Sequence, residues 1–302
     1  MAPGSLNGLL NVAKERGPTS HDVVDLVRRA AGIRRVGHAG TLDPAAAGVL
    51  PVLVGRVTRL ARFFGGYRKR YQAVIRLGIE TDTCDAEGTI VTQAPVDDGV
   101  FEKLPAVLAS FVGDVPQEVP AYAAVKSGGQ PLYARARRGE TVAPPTRTVS
   151  IYQLEIAALA PPTFTLLVEC GGGTYIRALA RDIGRLLNVG AHLETLTRLG
   201  VGPFVLDDAL PERSLRENAP GIWEYPYFTA AAELLPEIPA ETLSPKATAD
   251  FGHGRTVPVA AWLRPAAAVR FFDEAGALLG IGLADGAGRA RPDTVLLTAD
   301  EL

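Results

Sequence analysis

Apolar residues recur along this chain at two spacings, and these set the expected elements. Leu9 to Ala13 is a short apolar run that suits a buried strand. Val23, Val24, Val27 and Ala30 fall on one helical face, and Gly32 marks the stop. Thr19 or Ser20 is the expected cap of that helix, with Asp22 at capping-box spacing from Thr19. Val49 to Phe64 reads as an apolar strand or loop followed by a basic-faced helix. Tyr71, Ala73, Ile75 and Leu77 alternate, so they share one buried face of a strand. Phe101 to Phe111 predicts an amphipathic helix.

Phe164 to Cys170 is a second clear strand, and Gly171-Gly172-Gly173 turns it into a helix starting near Thr174. Tyr175, Ile176, Leu179, Ala180, Ile183, Leu186 and Leu187 form the apolar stripe of that helix. Arg177 then falls in the first turn, where a cation opposes the helix dipole and calls for an acidic partner. Leu206 to Ala249 is acidic and proline-punctuated, which predicts a helical appendix and linker. Val269 to Phe272, a turn at Asp273 to Gly276, and Leu278 to Gly282 predict a hairpin, with Pro292 to Leu297 as a further strand.

The 302 residues leave room for two domains around sizeable cores. No apolar run reaches membrane-spanning length, and no basic segment with an apolar stretch opens the chain. A cytoplasmic protein with no membrane association is therefore expected. Cys84 and Cys170 match no metal spacing and are expected as buried free thiols. The four histidines are scattered, so no metal site and no metal cofactor is expected.

A net charge of −2 argues at first against nucleic acid, but its distribution argues for it. Residues 205–250 carry net −6 and residues 251–302 net −1, which leaves net +5 on residues 1–204. Arg56 to Arg70 holds six basic residues and no acid. Leu26 to Thr41 and Ala123 to Arg138 each hold four and none. Such runs neutralise phosphates when they converge on one face. The proline- and glycine-rich stretch from Gly113 to Val149 interleaves Tyr122 and Tyr133 with Lys126, Arg135, Arg137, Arg138 and Arg147. That mixture suits an RNA-gripping insertion.

Candidate chemistry concentrates in Gly37-His38-Ala39-Gly40-Thr41-Leu42-Asp43-Pro44. Glycines free the backbone there and Pro44 fixes it, so Asp43 is expected at a defined loop position. No phosphate-binding loop and no hydrolase triad is recognisable. What remains is a lone carboxylate nucleophile, suited to a glycosidic carbon or an electrophilic pyrimidine carbon.

Three segments in order carry a resemblance: the octet, then Lys69-Arg70-Tyr71 with Thr81-Asp82-Thr83-Cys84-Asp85, then Gly173-Thr174-Tyr175-Ile176-Arg177. Together they closely resemble the bacterial tRNA pseudouridine-55 synthase family (TruB type), from about Gly8 to Phe204 and more weakly beyond. The resemblance implies an α+β pseudouridine synthase fold, with a mixed, mostly antiparallel central sheet flanked by helices and loops. It implies a catalytic domain over 1–243 and a small PUA-like β domain over 244–302. Within the first part it implies the RNA-gripping insertion at about 113–149 and the acidic appendix and linker at about 205–243.

It implies isomerisation of a uridine in the T-arm of tRNA by base flipping, without a cofactor, by a monomer. A tRNA-folding chaperone role is compatible with it. Asp43 is then the nucleophile. Tyr71 stacks on the flipped uracil and assists proton transfer. Arg177 pairs with Asp43 through a bidentate guanidinium, and Asp85 holds Arg177 from the other side. His38 packs against RNA, Tyr175 and Leu196 line the uridine pocket, and Lys14 is a supporting residue. The chain departs from the family at Glu15, where proline is usual after the lysine, and at Ala123, where serine is common. Every candidate catalytic residue precedes Ser244, so the segment after it is expected to add affinity rather than chemistry. Two other classes compete: a catalytically silent RNA-binding module, and a glycosidase using Asp43 and Asp85 as its carboxylate pair.

Overall fold

A computed structural model describes residues 6–120, 122, 126–127, 130–131, 144–217 and 220–297. Strand and helix follow the predicted periodicities closely where the spacing is long. Lys69–Leu77 buries Lys69, Tyr71, Ala73, Ile75 and Leu77 on one face. Ser20–Ala31 begins at a full capping box between Thr19 and Asp22 and ends at Gly32 in the left-handed region. Ile176–Leu186 starts after Tyr175 and lays Ile176, Leu179, Ala180 and Ile183 into the main core.

These elements assemble an eleven-stranded sheet, counted among the described residues. Its principal order is Leu210–Pro211, Gly8–Lys14, Ala47–Val54, Ala191–Val201, Lys69–Leu77, Thr163–Cys170, Thr146–Ala160 and Gly113–Glu118. All these neighbours are antiparallel except the pairs at Leu210–Pro211 and between Ala47–Val54 and Ala191–Val201. The expected mixed, mostly antiparallel sheet is what the chain forms.

The parallel junction is a narrow seam. Only Thr197 with Ala47 and Arg198 with Gly48 register across it. Gly48 has φ +110, and a Cβ there would meet the Arg198 carbonyl oxygen at 2.2 Å. Glycine is therefore required for the two halves of the sheet to touch. One core packs on the Lys69–Leu77 half, and a second joins Leu10, Val12, Val24, Val27, Leu50 and Val52 on the other.

The basic segment after Val54 is helical as expected, in 3-10 form over Gly55–Gly66. Several local expectations need correction. Gly113–Glu118 and Thr146–Ala160 are paired sheet strands, so the loop-rich segment is narrower than Gly113 to Val149. Tyr133, Arg135, Arg137 and Arg138 lie outside the described residues. The stretch after Leu206 is not simply helical. Leu210–Pro211 and Phe228–Ala230 both pair with Gly8–Lys14, and Glu212–Arg216 is one short helix between them. Its apolar residues, Leu210, Leu215, Ile222 and Phe228, bury in the second core despite the acidic composition around them. Val36–His38 is a short strand paired with Ala47–Val54, so only the later part of the octet is loop.

The C-terminal part forms a separate five-stranded sheet in the order Ala240–Thr242, Ala268–Phe272, Leu278–Ala284, Arg289–Val295 and Val257–Pro258. The predicted hairpin is present. The last strand begins and ends earlier than Pro292 to Leu297 suggests. This small β unit fits the PUA-like expectation. It shares a core with the N-terminal part, since Val57, Leu60 and Phe64 pack with Leu278, Ile281 and Leu296.

Candidate active site

The seam positions the site. Chain crossing it brings Gly40 to Asp43 from one half against Tyr71, Leu196 and Arg198 from the other. A cavity of about 260 Å³ opens there, lined in addition by Lys69, Tyr122, Thr174, Tyr175, Ile176 and Arg177. Of the residues singled out from sequence, Asp43, Tyr71, Arg177, Tyr175 and Leu196 converge on this one cavity. Lys14, Asp85 and His38 do not line it.

The Asp43 loop is held by three side chains, each bonded to backbone. Ser20 Oγ donates to the Leu42 carbonyl at 2.9 Å and accepts from the Leu42 N–H at 2.9 Å. Lys14 Nζ donates to the carbonyls of Ala46 at 2.7 Å, Glu15 at 2.9 Å and Pro44 at 3.3 Å. Arg198 donates from Nε to Val49 at 2.7 Å, from Nη1 to Thr41 at 3.1 Å and from Nη2 to Gly40 at 3.1 Å. The carbonyls of Gly40, Thr41, Pro44 and Ala46 thus point at two buried cations, while the Asp43 side chain stays 44% exposed.

Arg177 Nε lies 2.9 Å from Asp43 Oδ2. The contact is a close ion pair rather than an aligned hydrogen bond, because Nε–H has no acceptor within angular reach. Its Nη1 donates to the Thr83 carbonyl at 3.1 Å and sits 3.5 Å from Asp85 Oδ2, while Nη2 donates to the Tyr122 carbonyl at 3.2 Å. The expected bidentate fork on Asp43 is therefore not formed. The guanidinium donates to two carbonyls and is ion-paired with two carboxylates, which fixes its plane more firmly than Asp43 alone would. Asp85 is itself fixed: its Oδ1 accepts from Thr83 Oγ1 at 2.5 Å and from the Glu87 N–H at 3.2 Å. Its bridge to Leu193 ties this turn to the Ala191–Val201 strand.

Tyr71 is buried on the cavity floor. Burial pushes its phenol above the ordinary value, and the nearby Arg198 guanidinium opposes that push. Tyr175 is clamped through its backbone, donating its N–H to Gln117 Oε1 at 2.8 Å and accepting from Gln117 Nε2 at 3.1 Å. The Arg147 guanidinium lies 5.5 Å over its ring. His38 is half-buried on the short strand beside the loop. Burial, then the charges of Arg198 and His21, lower its pKa, which favours neutral imidazole.

Sequence reading missed Lys69, Arg198, Ser20 and Gln117. A signal was present for two of them. Lys69 is two residues before Tyr71, and Arg198 two after Leu196, so strand alternation puts both on the inner face. The basic run Arg56 to Arg70 is also spent partly on partners within the chain. Arg62 pairs with Asp293, Arg68 pairs with Glu169, and Arg59 donates to the Val295 carbonyl. Cys84 and Cys170 are buried free thiols. Among the described residues no group of His, Cys and carboxylates has metal-site geometry, and no helix is long and apolar enough to cross a membrane.

Comparison with known proteins decides the family. The family described as TruB family pseudouridylate synthase (N terminal domain) matches residues 28–176. The family described as Pseudouridine synthase II TruB, C-terminal, matches residues 239–296. The chain is 38% identical over 283 residues to tRNA pseudouridine synthase B of Caldanaerobacter subterraneus subsp. tengcongensis, covering 93% of this chain and 96% of that one. It is 43% identical over 256 residues to the protein of the same name from Symbiobacterium thermophilum, covering 84% of each. The chain belongs to the TruB family of pseudouridylate synthases. Among solved structures, the TruB-family fold described above matches a Cbf5–Nop10–Gar1 complex with TM-score 0.72 at 24% identity, over 97% of this chain and 86% of that one. That likeness concerns the fold alone. The two family regions fall on the two sheets, and the N-terminal one spans the Asp43 loop, Tyr71 and Asp85 and ends one residue before Arg177.

Proposed function

We propose that this chain converts a uridine in the T-arm of tRNA, at position 55, to pseudouridine, with Asp43 as the nucleophile and without a cofactor. The observation that carries this reading is convergence: Asp43, Tyr71 and Arg177, far apart in sequence, meet in one cavity at the sheet seam. A base stacked in RNA is flipped out to reach such a cavity. Tyr71 supplies the stacking floor and Leu196 and Tyr175 the walls. Arg177 aims Asp43, with Asp85 behind it and Lys14 beneath the loop. His38 faces RNA beside the cavity. Residues 1–243 hold the chemistry and 244–302 add RNA contacts. The working state is a cytoplasmic monomer, and a chaperone action on tRNA is compatible with it.

Incubation with a T-stem-loop RNA tests the proposal. The expected product has unchanged mass and reacts with carbodiimide as pseudouridine does. Binding without conversion would point to a silent RNA-binding module, and release of free uracil to a glycosidase. The engagement of Asp85 by Thr83, Glu87 and Arg177 weighs against the carboxylate pair a glycosidase needs.

A further inference from the structure

The cavity floor carries more positive charge than its acids balance. Asp43 and Asp85 both approach Arg177. Two further cations line the same cavity, Lys69 and Arg198. Both are buried, at 8% and 1% exposure. Their hydrogen-bond acceptors among the described residues are neutral carbonyls. Lys69 Nζ donates to Tyr67 at 2.8 Å and Gly65 at 3.2 Å, and Arg198 donates to Gly40, Thr41 and Val49. Carbonyls compensate only part of the cost of burying a charge. Burial, and then the field of Arg198, push the Lys69 ammonium below its ordinary value. The two cations therefore oppose each other inside the fold.

Their placement is specific. Lys69 is on the same face of the strand as Tyr71, two residues away. Arg198 is the direct partner of Tyr71 on the adjacent strand. The cations flank the ring on which the base would stack. An ammonium has three N–H groups, and two on Lys69 are committed to carbonyls, which leaves one for the cavity. Arg198 commits two donors to the loop and one to Val49 of the adjoining strand, and acts on the cavity through its field.

The proposed isomerisation creates the charge that such a floor accommodates. Asp43 Oδ bonds to C1′ as the C1′–N1 bond breaks with its electron pair on N1, so the detached uracil carries one negative charge. The base turns, C5 attacks C1′ and displaces the Asp43 carboxylate, and the proton leaves C5 while N1 gains one. Between these steps the base is held by no covalent bond to the sugar. We propose that Lys69 and Arg198 form a two-cation floor that stabilises and retains the detached base as an anion until it is rejoined. This inference rests on the isomerase reading of the site. Charge placed in advance where charge develops lowers a barrier without reorganisation at the moment of reaction.

The test varies the leaving group. A T-stem-loop RNA is made with uridine or with 5-fluorouridine at the target position. Fluorine acidifies the base, so its anion needs less help. Lys69→Met keeps the stem and deletes the charge. At saturating RNA its single-turnover rate on uridine is expected to fall about 10²-fold, with consumption of 5-fluorouridine falling only about tenfold. Affinity for both RNAs is expected to change less than about threefold, because the anion is absent from the ground state. Arg198→Lys keeps a charge under the loop and provides a second variant if Lys69→Met unfolds. It is expected to lose less than Lys69→Met and to show the same dependence on the leaving group. Equal losses on the two substrates, or weaker binding with an unchanged rate, would overturn the inference. Failure of the unaltered protein to convert uridine would instead overturn the isomerase reading itself.

Discussion

Lys14→Met isolates how the fold aims Asp43. The methionine keeps most of the apolar stem and removes the ammonium, which donates to Ala46, Glu15 and Pro44. The three carbonyls do not suffer equally. Pro44 keeps the Gly17 N–H at 2.9 Å, and Glu15 is exposed enough for water to replace the lysine. The Ala46 carbonyl sits in the buried contact and loses its donor, at a cost of about 1–3 kcal/mol. Some of that is returned, because burial holds the Lys14 ammonium below its ordinary value in spite of Glu212 and Asp43. A net loss of about 1–2 kcal/mol follows, a few degrees in Tm for a chain of this size.

The effect of Lys14→Met on rate is expected to be larger than on stability. Pro44 and Ala46 bracket Asp43, and a displacement near 1 Å of a reacting group costs about 10²-fold. The single-turnover rate should drop by that order while tRNA affinity stays within a few-fold. The dependence on pH has a definite sign. The folded pKa of Lys14 is below the ordinary lysine value of 10.5, so the unfolded chain binds more protons between the two values. The stability advantage of the native protein over Lys14→Met should therefore grow as pH rises towards 10.5. Denaturant titrations at several alkaline pH values, with single-turnover assays at neutral pH, measure both. An unchanged rate, or an advantage that shrinks with pH, would refute this account of the loop.

Three further expectations follow from the same geometry. Arg177→Lys keeps a charge near Asp43 but cannot serve Asp85 and the Thr83 and Tyr122 carbonyls together, so the rate should fall about 10–100-fold and Arg177→Ala should lose more, by single-turnover assay. RNA affinity should fall steeply with potassium chloride in a filter-binding series, and a flat response would mean that the basic residues do not converge on phosphates. Truncation after Leu243 removes the partners of Val57, Leu60 and Phe64 just upstream of Lys69 and Tyr71, so calorimetry should show a destabilised core and the single-turnover rate should fall with it. Loss of affinity alone, with rate and stability intact, would show the two sheets to be energetically separate.

The truncation expectation differs from what the sequence suggests, and the difference is instructive. Candidate residues all precede Ser244, but their order along the chain says nothing about which core supports them. Leu60 and Phe64 look like the apolar face of an ordinary helix, and only the tertiary packing shows that Leu278, Ile281 and Leu296 cover them. Long periodic elements were legible because their spacing is decided locally. The alternation from Tyr71 to Leu77, the capping box at Thr19 and the stripe after Tyr175 are examples. Leu210–Pro211 and Phe228–Ala230 were not legible, because two- and three-residue strands carry no period and exist only by pairing with Gly8–Lys14.

The site divides in the same way. Asp43, Tyr71 and Arg177 stand out by motif, whereas Lys69 and Arg198 look like ordinary charges until the sheet turns them inward. Ser20 illustrates a second limit. Its place at a helix start explains it locally, yet its hydroxyl is spent on the backbone of Leu42, twenty-two residues away. Likewise Arg62 and Arg68 read as phosphate ligands, but carboxylates from distant strands already engage them.

The most direct test of the central claim is turnover by Asp43→Asn. Asparagine preserves the size of the side chain and its place above the loop carbonyls that Lys14 and Arg198 hold, while removing the nucleophilic charge. With a T-stem-loop RNA and carbodiimide detection, the unaltered protein should produce pseudouridine. The variant should bind the RNA within about tenfold of normal yet lose turnover by several orders of magnitude, about what removal of a nucleophile costs. Turnover near the normal rate in a folded Asp43→Asn protein would contradict the assignment of Asp43 as the reacting group.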